Sequence, residues 1–169
     1  MKKNNNLDTN YLAIPSMSVK APLIKKVVDI DGKMQSPDTP DDIVFHDFSK
    51  WPKLGGIIGE KGNAIFTGHV DSGFQYCDFG KTPPPCYAVL WDLDKLKKNE
   101  TIVVSFEKRI HFYKVMSNVQ IKKQSTKWID FLEKSKQEMI TIISCSGEFV
   151  PEEHTYNCLQ IVKACRIES

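Results

Sequence analysis

Two residues of this 169-residue chain, Cys145 and His69, stand where a nucleophile and a proton-transfer partner would be useful. Cys145 ends the apolar, β-branched run ITIISC and precedes Ser146-Gly147, so a strand would aim the thiol and a turn would expose it. His69 follows a second such run in TGHVD, and an imidazole can activate a thiol or protonate a leaving amine. Either residue alone is more often structural, as a buried thiol or a strand-end histidine. Together they predict thiol chemistry.

Several neighbours of this pair are candidates for substrate contact or for orienting the pair. Asp71 is placed to orient the imidazole, and Gly68 permits close approach of a backbone. The residues that we expect to border a substrate are Asp71, Ser144, Ser146 and Cys158. The other histidines are His46, His111 and His154. None of the four histidines has His-x-His or i,i+4 spacing to another, so we expect neither a metal nor a cofactor.

Arginine is scarce, and this bears on any chemistry that creates an oxyanion. The chain has only Arg109, beside a hairpin turn, and Arg166, near its end, among 23 basic residues. A planar, permanently charged guanidinium is the usual donor where an oxyanion must be held. Lysine pairs such as Lys97-Lys98 and Lys122-Lys123 are most simply a solvated face.

The elements that must position these residues are mostly short strands. Apolar and β-branched runs separated by Gly, Pro and Asp turns predict about eight to ten strands from Tyr11 onward. Two short helices are predicted, over 91–99 and over TKWIDFLEKSKQEM, the latter capped by Ser125 or Thr126. Because no βαβ alternation occurs, we expect a mostly-β domain over 11–169, a barrel rather than a sandwich, after a frayed tail over 1–10.

Composition excludes several classes of protein. Hydrophobic residues are 41% and charged residues 26%, as in ordinary globular domains, and the net charge of +2 is too balanced for nucleic-acid binding. These residues contain neither a run of about 18 apolar residues nor a signal peptide. The five cysteines lack zinc-knuckle spacing, and their odd number leaves at least one free thiol, although Cys77 and Cys86 flank a loop that a disulfide could close.

The order of the motifs resembles the sortase family of cysteine transpeptidases, most closely class F and next class E. The segments that carry the resemblance extend from about Tyr11 to Ala164 and are IPSMSVKAPL, DGKMQSPDTP, GEKGNAIFTGHVD, WDLDKLKKNETIVV and ITIISCSG. GEKGNAIFTGHVD is similar to the family's segment around its histidine, and IISCSG to its TLxTC-type strand end. Phe149, Tyr156 and Ala164 also match the class F pattern after the cysteine.

The resemblance implies a closed, eight-stranded β-barrel of the sortase type. It implies a transpeptidase that cleaves an LPXTG-like sorting signal between Thr and Gly, holds the product as a thioester, and passes it to an amine of a peptidoglycan precursor. By motif position Cys145 would be the nucleophile and His69 the general acid/base. Such an enzyme would act as a monomer at the cell surface of a Gram-positive-type bacterium, held to the membrane by an anchor absent from these residues.

The chain departs from the family at its third catalytic residue, an arginine about a dozen residues after the cysteine. No arginine occurs from Ser146 to Ala164, and Cys158 with Leu159 occupies that neighbourhood. We expect Arg109 to replace it from another strand, with Lys163 and His154 as weaker substitutes. The alternative is a degenerate sortase-fold module that binds peptides without transpeptidase activity.

Two further hypotheses concern regulation and specificity. If Cys158 stands near the arginine position, a disulfide to Cys145 could switch the nucleophile off, although a simple packing role for Cys158 is the commoner case. The irregular segment 72–85, with three successive prolines, is expected to border the groove near His69 and to shape the sorting-signal pocket.

Overall fold

The computed structural model describes residues 10–72 and 87–168, and its eight strands close into a barrel. The strands are β1 (Tyr11–Ile14), β2 (Val19–Val27), β3 (Ile43–Asp47), β4 (Gly62–Gly68), β5 (Thr101–Phe106), β6 (Arg109–Lys122), β7 (Glu138–Val150) and β8 (Thr155–Arg166). Their order around the barrel is β1-β2-β3-β4-β7-β8-β6-β5. The predicted mostly-β, eight-stranded closed barrel is confirmed.

The pairing of β4 with β7 matters most for the site. This pair is parallel, with Thr67 opposite Ile143, whereas β7 and β8 form a long antiparallel hairpin in which Cys145 lies opposite Leu159. Strand β8 in turn pairs with β6, and Leu159 lies opposite Ile121 there. Leu159 therefore lies between β6 and β7, and the ends of three strands meet around Cys145.

Two apolar clusters hold these strands rigidly. The barrel interior is filled by alternate residues of the strands, including the fully buried Phe66, Tyr113 and Ile142. The second cluster contains Ile65, Ile143 and Ile161 and is covered by the segment between β6 and β7. Each large side chain buried in this way contributes about 1.5–3 kcal/mol, so both faces of β7 are anchored upstream of Cys145.

Both predicted helices are shorter than the sequence indicates. The segment between β6 and β7 forms a 3-10 helix over Thr126–Leu132, capped by Ser125, whose side chain accepts a hydrogen bond from the Lys127 amide. It ends because Glu133 turns extended and bridges to Leu54, after which β7 begins at Glu138. The other predicted helix is a single 3-10 turn, Leu93–Lys95.

The sequence predicted about eight to ten strands and the structure has eight, but the pattern singled out no element at β3. Strand β3 is buried on both faces and so lacks the alternation that marks a half-exposed strand. Residues 1–9 of the predicted tail, the Cys77–Cys86 disulfide and nearly all of segment 72–85 lie outside the described residues. No helix among those described is long and apolar enough to cross a membrane.

Candidate active site

Cys145 lies just past the middle of β7, half-exposed and held by the β7–β8 hairpin. Its neighbour Ser144 is buried, and the Ser144 hydroxyl donates a hydrogen bond of 3.1 Å to the carbonyl of Gly68 at the end of β4. This bond joins the two parallel strands immediately before both candidate residues. The three cysteines among the described residues, Cys145, Cys158 and Cys165, are free thiols.

His69 follows β4 directly, on the strand that pairs in parallel with β7. The last pair of this ladder is Thr67 with Ile143, so His69 and Cys145 each lie two residues beyond it, at the same end of the two strands. The His69 Nε2 lies 3.1 Å from the Pro37 carbonyl oxygen. A carbonyl only accepts, so Nε2 carries a proton and Nδ1 is the nitrogen left to exchange one.

Asp71 contacts Tyr156, the second residue of β8. The Tyr156 hydroxyl donates a hydrogen bond of 2.5 Å to Asp71 Oδ2. Burial, together with this bond, raises the pKa of Tyr156 to about 12, so the phenol keeps its proton at neutral pH. The structure thus places Asp71 where it fixes Tyr156 and the segment that carries His69.

Lys123, which the sequence pattern placed on a solvated face, is the cation nearest to the thiol among the described residues. The Lys123 ammonium lies 3.4 Å from Cys145 Sγ and donates a hydrogen bond of 2.6 Å to Thr155 Oγ1. A signal was present in the sequence: adjacent strand residues face opposite sides, so Lys122 and Lys123 cannot both lie on one face. Lys122 is exposed and Lys123 is half-buried.

The two arginines do not approach Cys145. Arg109 begins β6 and is exposed, and about 40 Å of strand separates it from Lys122 at the other end. Arg166 ends β8, where it lies 3.8 Å from Glu138 and over the ring of Tyr113. The structure therefore does not bring the predicted Arg109 to the site.

The weaker substitutes for an arginine are placed elsewhere as well. The Lys163 ammonium lies 5.9 Å from the centre of the Phe131 ring, in contact with the second cluster. His154 is exposed in the turn between β7 and β8.

Ser146 and Cys158 pair with each other across the β7–β8 hairpin. Since side chains alternate along a strand, Cys158 faces the side opposite to that of Cys145, and its sulfur lies against Gly147. This register does not favour the hypothesised Cys145–Cys158 disulfide. Ser146 accepts a hydrogen bond of 2.8 Å from Gln120 and lies 3.2 Å from the side-chain oxygen of Gln160.

A cavity of about 420 Å³ opens at Cys145. Amide and hydroxyl groups of Gln120, Gln160 and Ser146 line one side, and such groups can bond to a peptide backbone. The remaining lining residues are Val70, Leu90, Trp91, Asp92, Leu93, Asp94, Lys95, Gly147 and Tyr156. Residues 10–72 and 87–168 contain no group of three metal-ligating side chains.

The family model of the sortase domain matches residues 12–166, nearly the whole chain. The chain belongs to the sortase family. Membership supports a sortase-type function, in a family of cysteine transpeptidases. A search of curated proteins found no significant match.

Solved sortase structures share this fold. Sortase C1 from Streptococcus agalactiae superposes with a TM-score of 0.66 at 18% identity, over 99% of this chain and 72% of that one. A lid mutant of sortase A from Corynebacterium diphtheriae gives 0.66 at 14% identity, over 95% and 70%. Sortase C from Clostridium perfringens SM101 gives 0.63 at 18% identity, also over 95% and 70%. At these identities the likeness shows the fold.

Proposed function

We propose that this sortase cleaves an LPXTG-like sorting signal and transfers the cleaved protein to a cell-wall amine, with Cys145 as nucleophile and His69 as general acid/base. The observation that supports this most is the parallel β4–β7 ladder, whose last pair, Thr67 with Ile143, lies two residues before His69 on one strand and two residues before Cys145 on the other. We further propose that the protein works as a monomer at the cell surface of a Gram-positive-type bacterium.

The first half-reaction would begin with the Cys145 thiol proton moving to His69. The thiolate then attacks the carbonyl carbon of the Thr-Gly bond, and the carbonyl π electrons move onto oxygen. When this oxyanion collapses, the C–N bond breaks, and the imidazolium gives its proton to the departing glycine amine. The product is a thioester at Cys145 and a free glycine amine.

The second half-reaction would reverse the proton path. The acceptor amine attacks the thioester carbonyl and loses a proton to His69, and the sulfur leaves as the C–S bond breaks. The cavity beside Cys145 is polar where Gln120, Gln160 and Ser146 line it, which suits a peptide backbone on either side of the scissile bond. The hydrogen bond from the Ser144 hydroxyl to the Gly68 carbonyl joins β7 to β4 next to Cys145 and His69.

A second candidate function is a peptide-binding module without transpeptidase activity. The observation that favours it is the position of the two arginines, both far along their strands from Cys145. In that case the groove would bind a sorting-signal-like peptide, but the thiol would form no thioester with it.

Intact-mass spectrometry of the reduced protein with a panel of LPXTG-like peptides distinguishes the two functions. We expect an adduct of the peptide truncated after Thr, absent from Cys145→Ala and released by hydroxylamine or triglycine. The absence of an adduct with every peptide, while Cys145 alkylates normally with iodoacetamide, would contradict the enzyme and support the binding module.

A further inference from the structure

We propose that Lys123 is a catalytic residue, the cation that stabilises the Cys145 thiolate and then the oxyanion formed from the scissile carbonyl. This inference deepens the proposed transpeptidase function and rests on it for the second of these roles. The first role, stabilisation of the thiolate, concerns the free protein alone and is therefore testable without a substrate.

The backbone fixes where Lys123 stands. It follows the last residue of β6, and its amide donates a hydrogen bond of 3.0 Å to the Asn157 carbonyl, which extends the β6–β8 ladder by one residue. Because Ile121 and Cys145 both lie opposite Leu159, alternation places Lys123 on the strand face that Cys145 shares. Its long side chain then spans β8 to reach the sulfur.

Thr155 holds the ammonium in this position. Its hydroxyl oxygen accepts the 2.6 Å hydrogen bond, and the ammonium retains protons directed at Cys145 Sγ, 3.4 Å away. Thr155 begins β8, so the position of the charge is set by the same hairpin that sets the position of the thiol. A lysine on a solvated face would have neither partner.

The charge of Lys123 is available to the sulfur. Among the described residues no carboxylate lies within ion-pair distance of its ammonium. The other titratable groups near Cys145 include His69 after β4 and the Tyr156–Asp71 pair, in which Tyr156 stays neutral at neutral pH. Asp92, Asp94 and Lys95 line the same cavity, where the Lys95 ammonium lies 2.6 Å from Asp92. Among the described residues, Lys123 is thus the cation in hydrogen-bonding contact with the Cys145 sulfur, whereas the proposed role of His69 is to take up and release a proton.

The same position suits the next step. When the thiolate attacks, the negative charge moves from sulfur to the carbonyl oxygen of the substrate, one carbon away. An ammonium in contact with the sulfur can follow this shift by donating to the oxyanion, because its three N–H groups rotate about a flexible stem. No proton leaves Lys123 at any stage. A single lysine thus takes the part for which sequence reasoning proposed Arg109.

The test compares Lys123→Met, Lys123→Arg and the adjacent Lys122→Met. Met removes the charge but keeps a flexible chain, Arg keeps the charge, and Lys122 faces away from Cys145 as an exposed control. The readout is the rate at which iodoacetamide alkylates Cys145 from pH 5 to 10, measured on the Cys145 peptide by mass spectrometry. Alkylation of Cys165, a free thiol near the far end of β8, is the internal reference.

We expect Lys123→Met to raise the pH midpoint of Cys145 alkylation by about 1 unit or more, as removal of an opposite charge within hydrogen-bonding distance does. Lys123→Arg and Lys122→Met should keep the midpoint of the wild type. Thr155→Val, which leaves the lysine but loosens it, should give a smaller shift in the same direction. A midpoint in Lys123→Met that equals that of Lys122→Met would overturn the proposal.

The rate of adduct formation with the sorting-signal peptide separates this proposal from the proposed function. Lys123→Met should slow it about 100-fold or more, as loss of one oxyanion donor does, and Lys123→Arg should restore most of the rate. If the wild type forms no adduct but the alkylation shift is present, the transpeptidase function fails and the thiolate role of Lys123 stands. If adducts form equally fast in Lys123→Met, the oxyanion role is wrong and the enzyme stands.

Discussion

In the proposed mechanism, proton transfer at this site depends on His69. Replacing it with Asn removes the group that would protonate the leaving glycine amine, and general acid/base catalysis of this kind is worth roughly 100- to 10,000-fold. We expect His69→Asn to lower single-turnover thioester formation by a factor in that range, with the fold and the free thiol retained. Quenched-flow mass spectrometry of the acyl-enzyme measures this rate.

His154 offers a matched control for that substitution. It is exposed and has a positive φ of 50° in the turn between β7 and β8, a conformation that Asn tolerates well. His154→Asn should therefore retain both the rate and the stability of the wild type. An equal loss of rate in both variants would show that His69 has no special part in the reaction.

Some of the candidate site residues could be predicted from the sequence and one could not. Cys145 and His69 follow from strand ends and short motifs, which are local in sequence. Lys123 does not, because its contact with the thiol depends on the register of β6 against β8 and on a side chain that spans β8. Two adjacent lysines on a strand must face opposite sides, but the sequence does not indicate which of the two faces the site.

Among the elements, β8 is linked to the segment after β4 by the side-chain hydrogen bond from Tyr156 to Asp71. Tyr156→Phe removes it while keeping the ring that packs edge-on against Phe149. We expect a loss of about 1 kcal/mol in the free energy of unfolding, at the low end for a charge-assisted bond since the pair is half-exposed. Turnover should also fall several-fold, because the segment that carries His69 loses its tie to β8.

Urea denaturation and steady-state transpeptidation measure these two effects. Tyr11→Phe is the control: it removes a phenol from β1, where the ring contacts Lys20 on the barrel surface. If Tyr156→Phe matches Tyr11→Phe in both stability and turnover, the bond to Asp71 does not position the site.

A strand could be predicted from the sequence when its side chains alternate between buried and exposed. The half-exposed β6 shows it clearly, and its hairpin with β5 was expected, whereas the doubly buried β3 was missed. The predicted helix over TKWIDFLEKSKQEM stops at Leu132 because the Leu132 carbonyl accepts a hydrogen bond from the Gly55 amide and the Lys134 amide donates one to the Lys53 carbonyl, instead of continuing the helix. That competition comes from a loop about 80 residues away in the chain and has no local signature.

For the whole molecule, closure of the barrel follows from pairings between distant segments. The β1–β5 and parallel β4–β7 ladders join residues far apart in sequence, and the composition contains no trace of them. Periodicity alone favoured a barrel over a sandwich only modestly, and the ordered motifs shared with sortases supplied the topology. The whole fold was therefore predicted through resemblance, and its local pieces through physical pattern.

Global stability should depend on pH through His46, which is fully buried on β3. Its Nε2 lies 2.7 Å from Thr67 Oγ1 on β4, and its buried Nδ1 has no hydrogen-bond partner in the part of the chain that the structure describes. Burial, with a smaller effect of the Lys26 charge, lowers the pKa of His46 to about 4. His46 therefore binds a proton at about pH 4 in the folded barrel but at about pH 6.5 in the unfolded chain.

The sign of the effect follows from this difference. Above pH 6.5 both states carry a neutral His46 and its contribution is fully present. As the pH falls from 6.5 towards 4, the unfolded state binds the additional proton and stability is lost, up to about 3 kcal/mol. Urea unfolding at pH 7.5 and at pH 4.5 measures the loss.

His46→Gln isolates this contribution, because carboxylates titrate in both proteins and only the histidine differs. We expect the variant to lose about 2–3 kcal/mol less than the wild type between the two pH values, whatever its absolute stability at pH 7.5. His154→Asn, which removes an exposed histidine, should lose as much as the wild type. An acid-induced loss in His46→Gln as large as that of the wild type would show that His46 takes up its proton equally in the folded and unfolded chains.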